Sequence, residues 1–284
     1  TNDVNGTVGT VKPFDPNLLS IAHANGVKVL IGLRPDSPLT IHNVIATNGN
    51  LPVLTSNLMS VMALGYDGID MDYEPVSVQA SALSNILQSF RASLGTNLLT
   101  FDWNRNGFTA TTNMLAFVDR MNAMTYDATC ISHTWFVNPM YGFPLTNLNY
   151  SANAFWPWTF ADADSGYQHW YYFRLTSVMH LDPRKINMGI AFYGYQHGGS
   201  VPPVQGPWLG KGTPAEVRVA SFGYSDIVSN YNVGSLAIYD NLARSVWFPI
   251  STGWIDYEDE RTVSDKCKYV INRGLGGILI FSVS

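Results

Sequence analysis

Residues 67–74 read DGIDMDYE and place four acidic side chains within eight residues, in a chain of 284 residues of which 13% are charged. Apolar residues fill the positions between the later acids, and this alternation predicts a β-strand. Residues two apart on a strand point to the same face. The pattern therefore places Asp70, Asp72 and Glu74 on one side, and apolar or aromatic side chains on the other.

This pattern predicts carboxyl groups in the interior of the protein, which is unusual. Three neighbouring carboxyl groups in a covered sheet cannot all stay ionised, because repulsion and desolvation raise the pKa of at least one of them. A proton shared in this way suits acid catalysis. The alternatives are a solvated acidic turn or a calcium loop. An EF-hand loop needs a Gly after its third acid, whereas Tyr73 and Glu74 follow Asp72 directly.

The rest of the chain alternates strand-length apolar runs with helix-length segments. This order predicts an α/β fold with a parallel sheet and crossover helices, and it does not decide by itself whether the sheet closes into a barrel. The predicted strands are residues 27–32, 67–74, 98–103, 122–127, 187–192 and 277–281.

Composition narrows the possible partners. The net charge is −5, and the 16 Lys and Arg residues are scattered without a basic run. The sequence therefore predicts neither a nucleic-acid nor a membrane partner. Hydrophobic residues make up 46% of a chain whose apolar segments are all short for a bilayer. Low charge and many small polar and aromatic residues favour a secreted, bacterial protein.

The acidic stretch resembles the D-G-x-D-x-D-x-E signature of family 18 glycoside hydrolases, the chitinases and their relatives. Asp67 and Gly68 complete its fixed positions, and we interpret Asp67 as structural because it is out of phase with the inward acids. In that family the motif lies on the fourth strand of a (β/α)8 barrel, with the Glu at the carboxyl end. Further stretches resemble the family in chain order: residues 124–127, 188–194, 254–259 with Lys266, and 276–281.

The resemblance implies substrate-assisted hydrolysis with retention of configuration, an exception to the two-carboxylate mechanism. Glu74 would act as general acid and then as base. Asp72 would hydrogen-bond the acetamido N–H, and Asp70 would exchange a proton with Asp72. Tyr126 would hold the acetamido oxygen, and Asp127 would support the sugar.

The resemblance also implies substrate-binding residues. Phe281 stands where the family commonly has a Trp under the sugar, and Tyr195 stands where it often has an Arg. Met124, Tyr193 and Trp103 are further candidates, with core packing as the alternative for Met124 and Trp103. No metal or organic cofactor is implied.

The domain prediction is a single (β/α) barrel over residues 1–284, with a short α+β-like insertion at about 198–250. The third to eighth barrel strands are recognisable, and the first two are not. A barrel without them would expose strand edges, so we expect that self-association with a partner chain or a repacked surface fills the gap. The alternative is that further residues upstream supply these strands. The short insertion predicts a shallow groove and endo-type cleavage.

Three functions compete. The first is a chitinase that cuts β-1,4 bonds between N-acetylglucosamine units in chitin or its oligosaccharides. The second is an endo-β-N-acetylglucosaminidase that cuts the core of N-glycans. The third is an inactive carbohydrate-binding lectin. Proteins of that third kind normally lose the acid, whereas Glu74 is present here.

Overall fold

The structure is a computed structural model that describes residues 2–10, 14–34, 44–45, 47–72, 80–103, 112–127, 136–140, 174–198, 218–241 and 243–282. Its residues fall into two compact units. The first unit comprises Thr1–Ala123 and Met179–Ile186, and the second comprises Met124–Val178 and Asn187–Ser284. No helix in the described ranges is both long and apolar enough to cross a membrane.

The first unit is a parallel sheet with helices between its strands. Its four strands pair in the order β1-β2-β3-β4, each parallel to the next. The elements are α1 (Pro16–Ala24), β1 (Leu30–Leu33), α2 (Leu51–Met62), β2 (Gly68–Asp72), α3 (Ala80–Leu94), β3 (Leu98–Trp103), α4 (Thr112–Leu115), β4 (Arg120–Ala123) and a 3-10 turn (Pro183–Lys185).

Local sequence signals set the limits of α1. The Asp15 side chain accepts hydrogen bonds from the backbone N–H groups of Asn17 and Leu18, and Pro16 occupies the first turn. Both features are typical of helix N-termini. Gly26 follows the helix with a φ of +69°, a left-handed conformation that ends helices readily only with Gly or Asn.

Apolar side chains at helical spacing anchor α3 to this sheet. Leu83, Ile86 and Phe90 are each 0% exposed, as are Ile69 of β2 and Leu99 of β3. Because α3 connects β2 to β3, its buried stripe and the covered sheet face form one core.

The second unit combines a parallel strand pair with an antiparallel sheet. β5 (Ile186–Ala191) pairs in parallel with β11 (Gly277–Phe281). The antiparallel sheet has the order β7-β6-β10-β9-β8. Its strands and the nearby helices are β6 (Tyr193–Gly198), β7 (Arg218–Gly223), α5 (Tyr224–Asn230), α6 (Val233–Leu236), β8 (Ile238–Asp240), β9 (Ser245–Ile250), β10 (Gly253–Tyr257) and α7 (Glu260–Asn272), and a π-helical turn spans Arg174–Val178.

The two faces of the antiparallel sheet differ in chemistry because side chains alternate along each strand. One face contributes Val246, Phe248, Ile255 and Tyr257 to an apolar core with Ile227 of α5. The other face carries a separate set of buried polar and aromatic side chains, namely Tyr195, His197, Trp247, Trp254 and Asp256.

The predicted strands are all found in the predicted chain order, with shifts of a few residues at their ends. Among the described residues β1 pairs with β2 as its one strand partner, and β11 likewise with β5. The α/β class is therefore confirmed, while barrel closure is not seen in these residues. The described part of residues 198–250 contains strands and short helices, and the single-domain organisation stays a prediction.

Candidate active site

Asp67 ties the beginning of β2 to its neighbours. Its Oδ2 accepts a hydrogen bond of 2.8 Å from the Val29 N–H and lies 2.9 Å from His23 Nε2. Lys28 Nζ lies 3.5 Å from the other oxygen. The Val29 hydrogen bond, with these basic neighbours, lowers the pKa of Asp67. These contacts support the structural role predicted for this residue.

Gly68 lies opposite Leu98 of β3, in close contact with it. A Cβ atom at this position would be 2.2 Å from the Leu98 carbonyl oxygen and 2.8 Å from the Leu98 Cβ. The obstacle is backbone, which cannot move aside as a flexible side chain would. The close approach of the two strands therefore requires glycine.

Gly68→Ala should destabilise the first unit by about 1–3 kcal/mol, the usual cost of forcing extra atoms into a packed site. Gly32→Ala in β1 is the matched control, because a Cβ there meets nothing within 4 Å. Urea unfolding of both variants measures the difference. Equal midpoints for the two would contradict the steric argument.

The acids of β2 lie on the face opposite its apolar residues, as predicted. Ile69 and Met71 are 0% exposed, whereas Asp70 and Asp72 are partly buried on the other side. Glu74, the predicted general acid, lies outside the described residues. The structure thus describes two of the three predicted inward acids.

Asp70 is held by neighbouring strands on the inward side. Its Oδ1 accepts hydrogen bonds from the Thr100 hydroxyl and from Asn122 Nδ2 at 3.2 Å. Burial raises the pKa of Asp70, and the two hydrogen bonds oppose that rise. The carboxyl is therefore the kind of group that holds a proton more firmly than a solvated Asp does.

Asp70→Asn should make the protein more stable than wild type near neutral pH. Because the native state raises the pKa of Asp70, the native protein binds this proton more tightly than the unfolded chain. Wild-type stability therefore falls as the pH rises from the ordinary Asp value through the raised one. The amide side chain of the variant does not titrate, so its advantage should shrink towards about pH 4.

Asp182→Asn is the control of opposite sign. Arg184 hydrogen-bonds Asp182 and lowers its pKa, so this variant should be less stable than wild type near neutral pH, with the loss vanishing in acid. Thermal unfolding across the pH range tests both variants. An Asp70→Asn advantage that stays constant with pH would contradict the titration argument.

Asp102 of β3 is an acid that sequence reasoning missed. It pairs in register with Asp72 and is 9% exposed. Thr100 and Asp102 alternate with the buried Leu99 and Phe101, and this polar alternation was the available signal. The inward polar surface of the first unit thus includes a third described carboxyl group.

The second unit contains three of the predicted aromatic residues. Tyr126 stacks on Phe281, with ring centroids 5.8 Å apart and planes at 24°. Tyr193 meets Phe281 edge to face at 6.2 Å. Phe281 is 54% exposed, so it leaves an open ring face. Such a face can stack on the apolar side of a sugar.

Asp127 follows Tyr126 with its backbone in the left-handed region, at a φ of 58°. Its Oδ1 accepts hydrogen bonds from the hydroxyl groups of Tyr193, at 2.5 Å, and Tyr195. Burial, together with the charge of Asp127, raises the pKa of Tyr193, so this phenol keeps its proton and serves as a donor. Tyr195, which was predicted only as a departure from the family, thus orients a predicted substrate-binding carboxylate.

Two predicted contact residues lie inside the protein. Met124 is 8% exposed and packs in a cluster with Tyr126 and Tyr195. Trp103, at the end of β3, is 3% exposed, so its ring offers no open face for stacking. Burial favours the alternative interpretation of Met124 and Trp103 as core residues.

Lys266 and Glu258 form a buried ion pair, and His197 and Asp256 form a buried hydrogen bond. Lys266 Nζ lies 2.7 and 2.6 Å from the Glu258 carboxylate oxygens, and both side chains are almost fully buried. His197 Nε2 lies 2.8 Å from Asp256 Oδ1, and the imidazole stacks on Trp254 at 3.8 Å. Asp256, Glu258 and Lys266 belong to the predicted family-like stretch, whereas His197 was not among the predicted residues.

The sequence model of the family described as glycosyl hydrolases family 18 matches residues 21–284 of this chain. The chain therefore belongs to this family, whose fold is a TIM-type barrel. No group of three or more His, Cys, Asp or Glu side chains in the described part of the chain is placed to hold a metal ion.

Individual proteins show how far the likeness in sequence and in fold extends. A class V chitinase of Medicago truncatula is 29% identical over 102 residues, covering 36% of this chain and only 27% of the relative's length. The Group IV chitinase of Ostrinia furnacalis, solved in complex with allosamidin, has a TM-score of 0.73 at 20% identity and covers 99% of this chain and 82% of that one.

A chitinase-like agglutinin of Robinia pseudoacacia has a TM-score of 0.70 at 18% identity, covering 99% of this chain and 86% of that one. The two structural likenesses show the fold alone. One of these two proteins is a chitinase and the other is a chitinase-like agglutinin. Their likeness to this chain therefore does not distinguish hydrolysis from binding.

Proposed function

We propose that this protein hydrolyses β-1,4 linkages between N-acetylglucosamine units in chitin or its oligosaccharides, with retention of configuration. The observation that carries the proposal is the partly buried Asp70, whose raised pKa and two hydrogen-bond donors mark a proton-holding carboxyl. Asp72 follows on the same face of β2, and Glu74 comes two residues later in the sequence.

The proposed reaction needs one acid and the substrate's own acetamido group. Glu74 protonates the glycosidic oxygen while the acetamido carbonyl oxygen attacks the anomeric carbon, which releases the leaving sugar and forms an oxazolinium ion. Glu74, now a carboxylate, takes a proton from water. The water oxygen attacks the anomeric carbon from the face that the leaving sugar occupied, which opens the oxazolinium ring. Two inversions at the anomeric carbon give net retention.

Charge and aromatic surface assist these steps. Asp72 accepts a hydrogen bond from the acetamido N–H and stabilises the positive intermediate, a case of electrostatic preorganisation. Asp70 exchanges a proton with Asp72. The Tyr126 hydroxyl holds the acetamido oxygen, Asp127 accepts from the sugar, and the exposed ring of Phe281 supports it.

The direct test follows the products formed from N-acetylglucosamine oligomers. We expect new reducing ends in the β configuration first, seen by NMR before mutarotation, and mixed product lengths at the earliest times from long chitin. Appearance of the α anomer first would contradict retention. Disaccharide as the dominant earliest product would contradict endo-type cleavage.

A carbohydrate-binding function without turnover is the second candidate, because a chitinase-like agglutinin shares this fold and the fold alone does not imply turnover. Saturable binding of the oligomers with no new reducing ends would support it and would overturn the hydrolase proposal. Release of glycan from an N-glycopeptide, with chitin oligomers untouched, would instead identify an endo-β-N-acetylglucosaminidase.

A further inference from the structure

His197 and Asp256 form a buried pair in the second unit that the proposed reaction does not use. Their side chains are 0% and 1% exposed, and His197 Nε2 lies 2.8 Å from Asp256 Oδ1. The two residues come from neighbouring strands, β6 and β10, and the imidazole stacks on Trp254 with the planes at 17°. Burying polar groups costs free energy unless they are hydrogen-bonded, so a role for this pair is to be sought in its contacts.

Asp256 holds the backbone of Val137 as well as the imidazole. Its Oδ2 accepts a hydrogen bond from the Val137 N–H. A carboxylate accepts through both oxygens, so the imidazole of His197 donates to Oδ1 at the same time. Val137 is 1% exposed and packs in the apolar cluster that contains Tyr126 and Tyr195. Asp256 therefore fixes the backbone of a residue that packs with these two rings.

Asn138, the next residue, extends this hold to the backbone before Tyr126. Its side chain is fully buried, and its Nδ2 donates to the Thr125 carbonyl at 2.6 Å and to the Gly189 carbonyl at 3.2 Å. Thr125 immediately precedes Tyr126 in the chain. The path of hydrogen bonds that starts at Asp256 thus ends on the peptide that carries Tyr126.

His197 is connected to the same stretch through a second path. Its ring meets the Tyr195 ring edge to face, with centroids 6.4 Å apart and planes at 83°. The Tyr195 hydroxyl donates to Asp127 Oδ1. The two members of the pair are therefore linked to consecutive residues of one stretch, Asp256 to its backbone and His197 to the Asp127 side chain.

We propose that His197 and Asp256 are a positioning pair, which holds the Tyr126 ring and the Asp127 carboxylate in the geometry that binds an N-acetylglucosamine unit. The pair itself is buried and does not contact the sugar. The inference rests on the proposed function, in which Tyr126 and Asp127 contact the substrate. Small displacements of such groups weaken binding and slow reaction strongly, and the two converging paths favour this role over simple filling of the core.

The double substitution His197→Phe with Asp256→Leu tests this role. Replacing a buried polar pair with apolar residues of similar volume is often neutral or stabilising, so a merely structural pair would leave binding unchanged. We expect the double variant to bind the N-acetylglucosamine tetramer about tenfold more weakly than its parent, by calorimetry in the Glu74→Gln background. In the active background kcat should also fall at least about tenfold, and thermal unfolding verifies that the variant is folded.

Asp256→Asn is the conservative variant and should preserve the geometry. Its amide oxygen can still accept from the Val137 N–H, and its amide nitrogen can donate to His197 Nε2 once the imidazole proton moves to Nδ1. Affinity should therefore stay within about threefold of the parent. Tyr224→Phe is the matched control in the same unit, since its hydroxyl donates to Glu260 at 3.0 Å, and its affinity should be unchanged.

Equal affinity of the double variant and its parent would overturn the inference, as would a loss in Asp256→Asn as large as that of the double variant. If the double variant does not fold, Tyr195→Phe takes its place. This variant lacks one hydroxyl of the second path and should also bind about tenfold more weakly, and unchanged affinity would again overturn the inference. Failure of wild type to bind the tetramer would overturn the proposed function as well, so the two failures are distinguishable.

Discussion

Glu74→Gln should reduce the hydrolysis of N-acetylglucosamine oligomers by about 10²- to 10⁴-fold, the range that general acid–base groups contribute. An amide is nearly the same size as the carboxylic acid but cannot donate a proton to the glycosidic oxygen or later accept one from water. The rate of reducing-end formation measures the loss. Oligomer affinity, measured by calorimetry, should stay within about a few-fold of wild type, since binding does not need the proton.

Glu260→Gln provides the matched control for this substitution. Glu260 is an exposed residue of the first turn of α7, and it lies outside both the β2 acids and the aromatic cluster. Its replacement should leave the rate unchanged. Equal rates in wild type and Glu74→Gln would remove Glu74 from the mechanism, even if the chain proved to be a hydrolase.

Lys266→Met should destabilise the protein by about 3–5 kcal/mol, the usual cost of removing one partner from a buried ion pair. Lys266 is 0% exposed and contacts both oxygens of Glu258. Burial already raises the pKa of Glu258 to about 7, against the attraction of Lys266. Without the ammonium group, the native state must keep this carboxyl protonated or hold an uncompensated charge.

The loss in Lys266→Met should grow with pH. The unfolded chain releases the Glu258 proton above its ordinary pKa, whereas the native variant retains it to a higher pH, so stability declines as the pH rises. Urea unfolding at about pH 5 and about pH 8 measures this dependence. Lys268→Met is the control, because its side chain is 68% exposed and exposed pairs contribute about 0–1 kcal/mol. Similar losses in the two variants would contradict the buried-pair argument.

The sequence predicted those parts of the site whose pattern is local. Alternation along β2 correctly separated Ile69 and Met71 from Asp70 and Asp72, because strand periodicity alone decides which face a side chain takes. Leu83, Ile86 and Phe90 of α3 recur at helical spacing and are all buried, which is again a local pattern.

Contacts between distant segments were not predictable in this way. The convergence of Tyr193 and Tyr195 on Asp127 joins residues more than sixty positions apart, and no local period encodes that meeting. The Gly- and Pro-rich stretch after residue 198 concealed the antiparallel sheet, since short twisted strands there carry a mixed rather than an alternating pattern. Trp103 looked suited to a sugar surface by residue type, yet it is buried, and burial depends on tertiary packing that residue type does not encode.

The DGIDMDYE stretch divides into two parts with different duties. Its first two residues stabilise the fold. The Asp67 side chain contacts His23 and the Val29 N–H at the start of β2, and Gly68 allows the close approach of β3. Its later acids are the residues that the proposed mechanism uses. A relative that binds sugars without hydrolysing them could replace the final acid. It would still need the aspartate and the glycine in order to fold. An Asp and a Gly at these two positions in a relative therefore indicate a shared fold. They do not establish a shared activity.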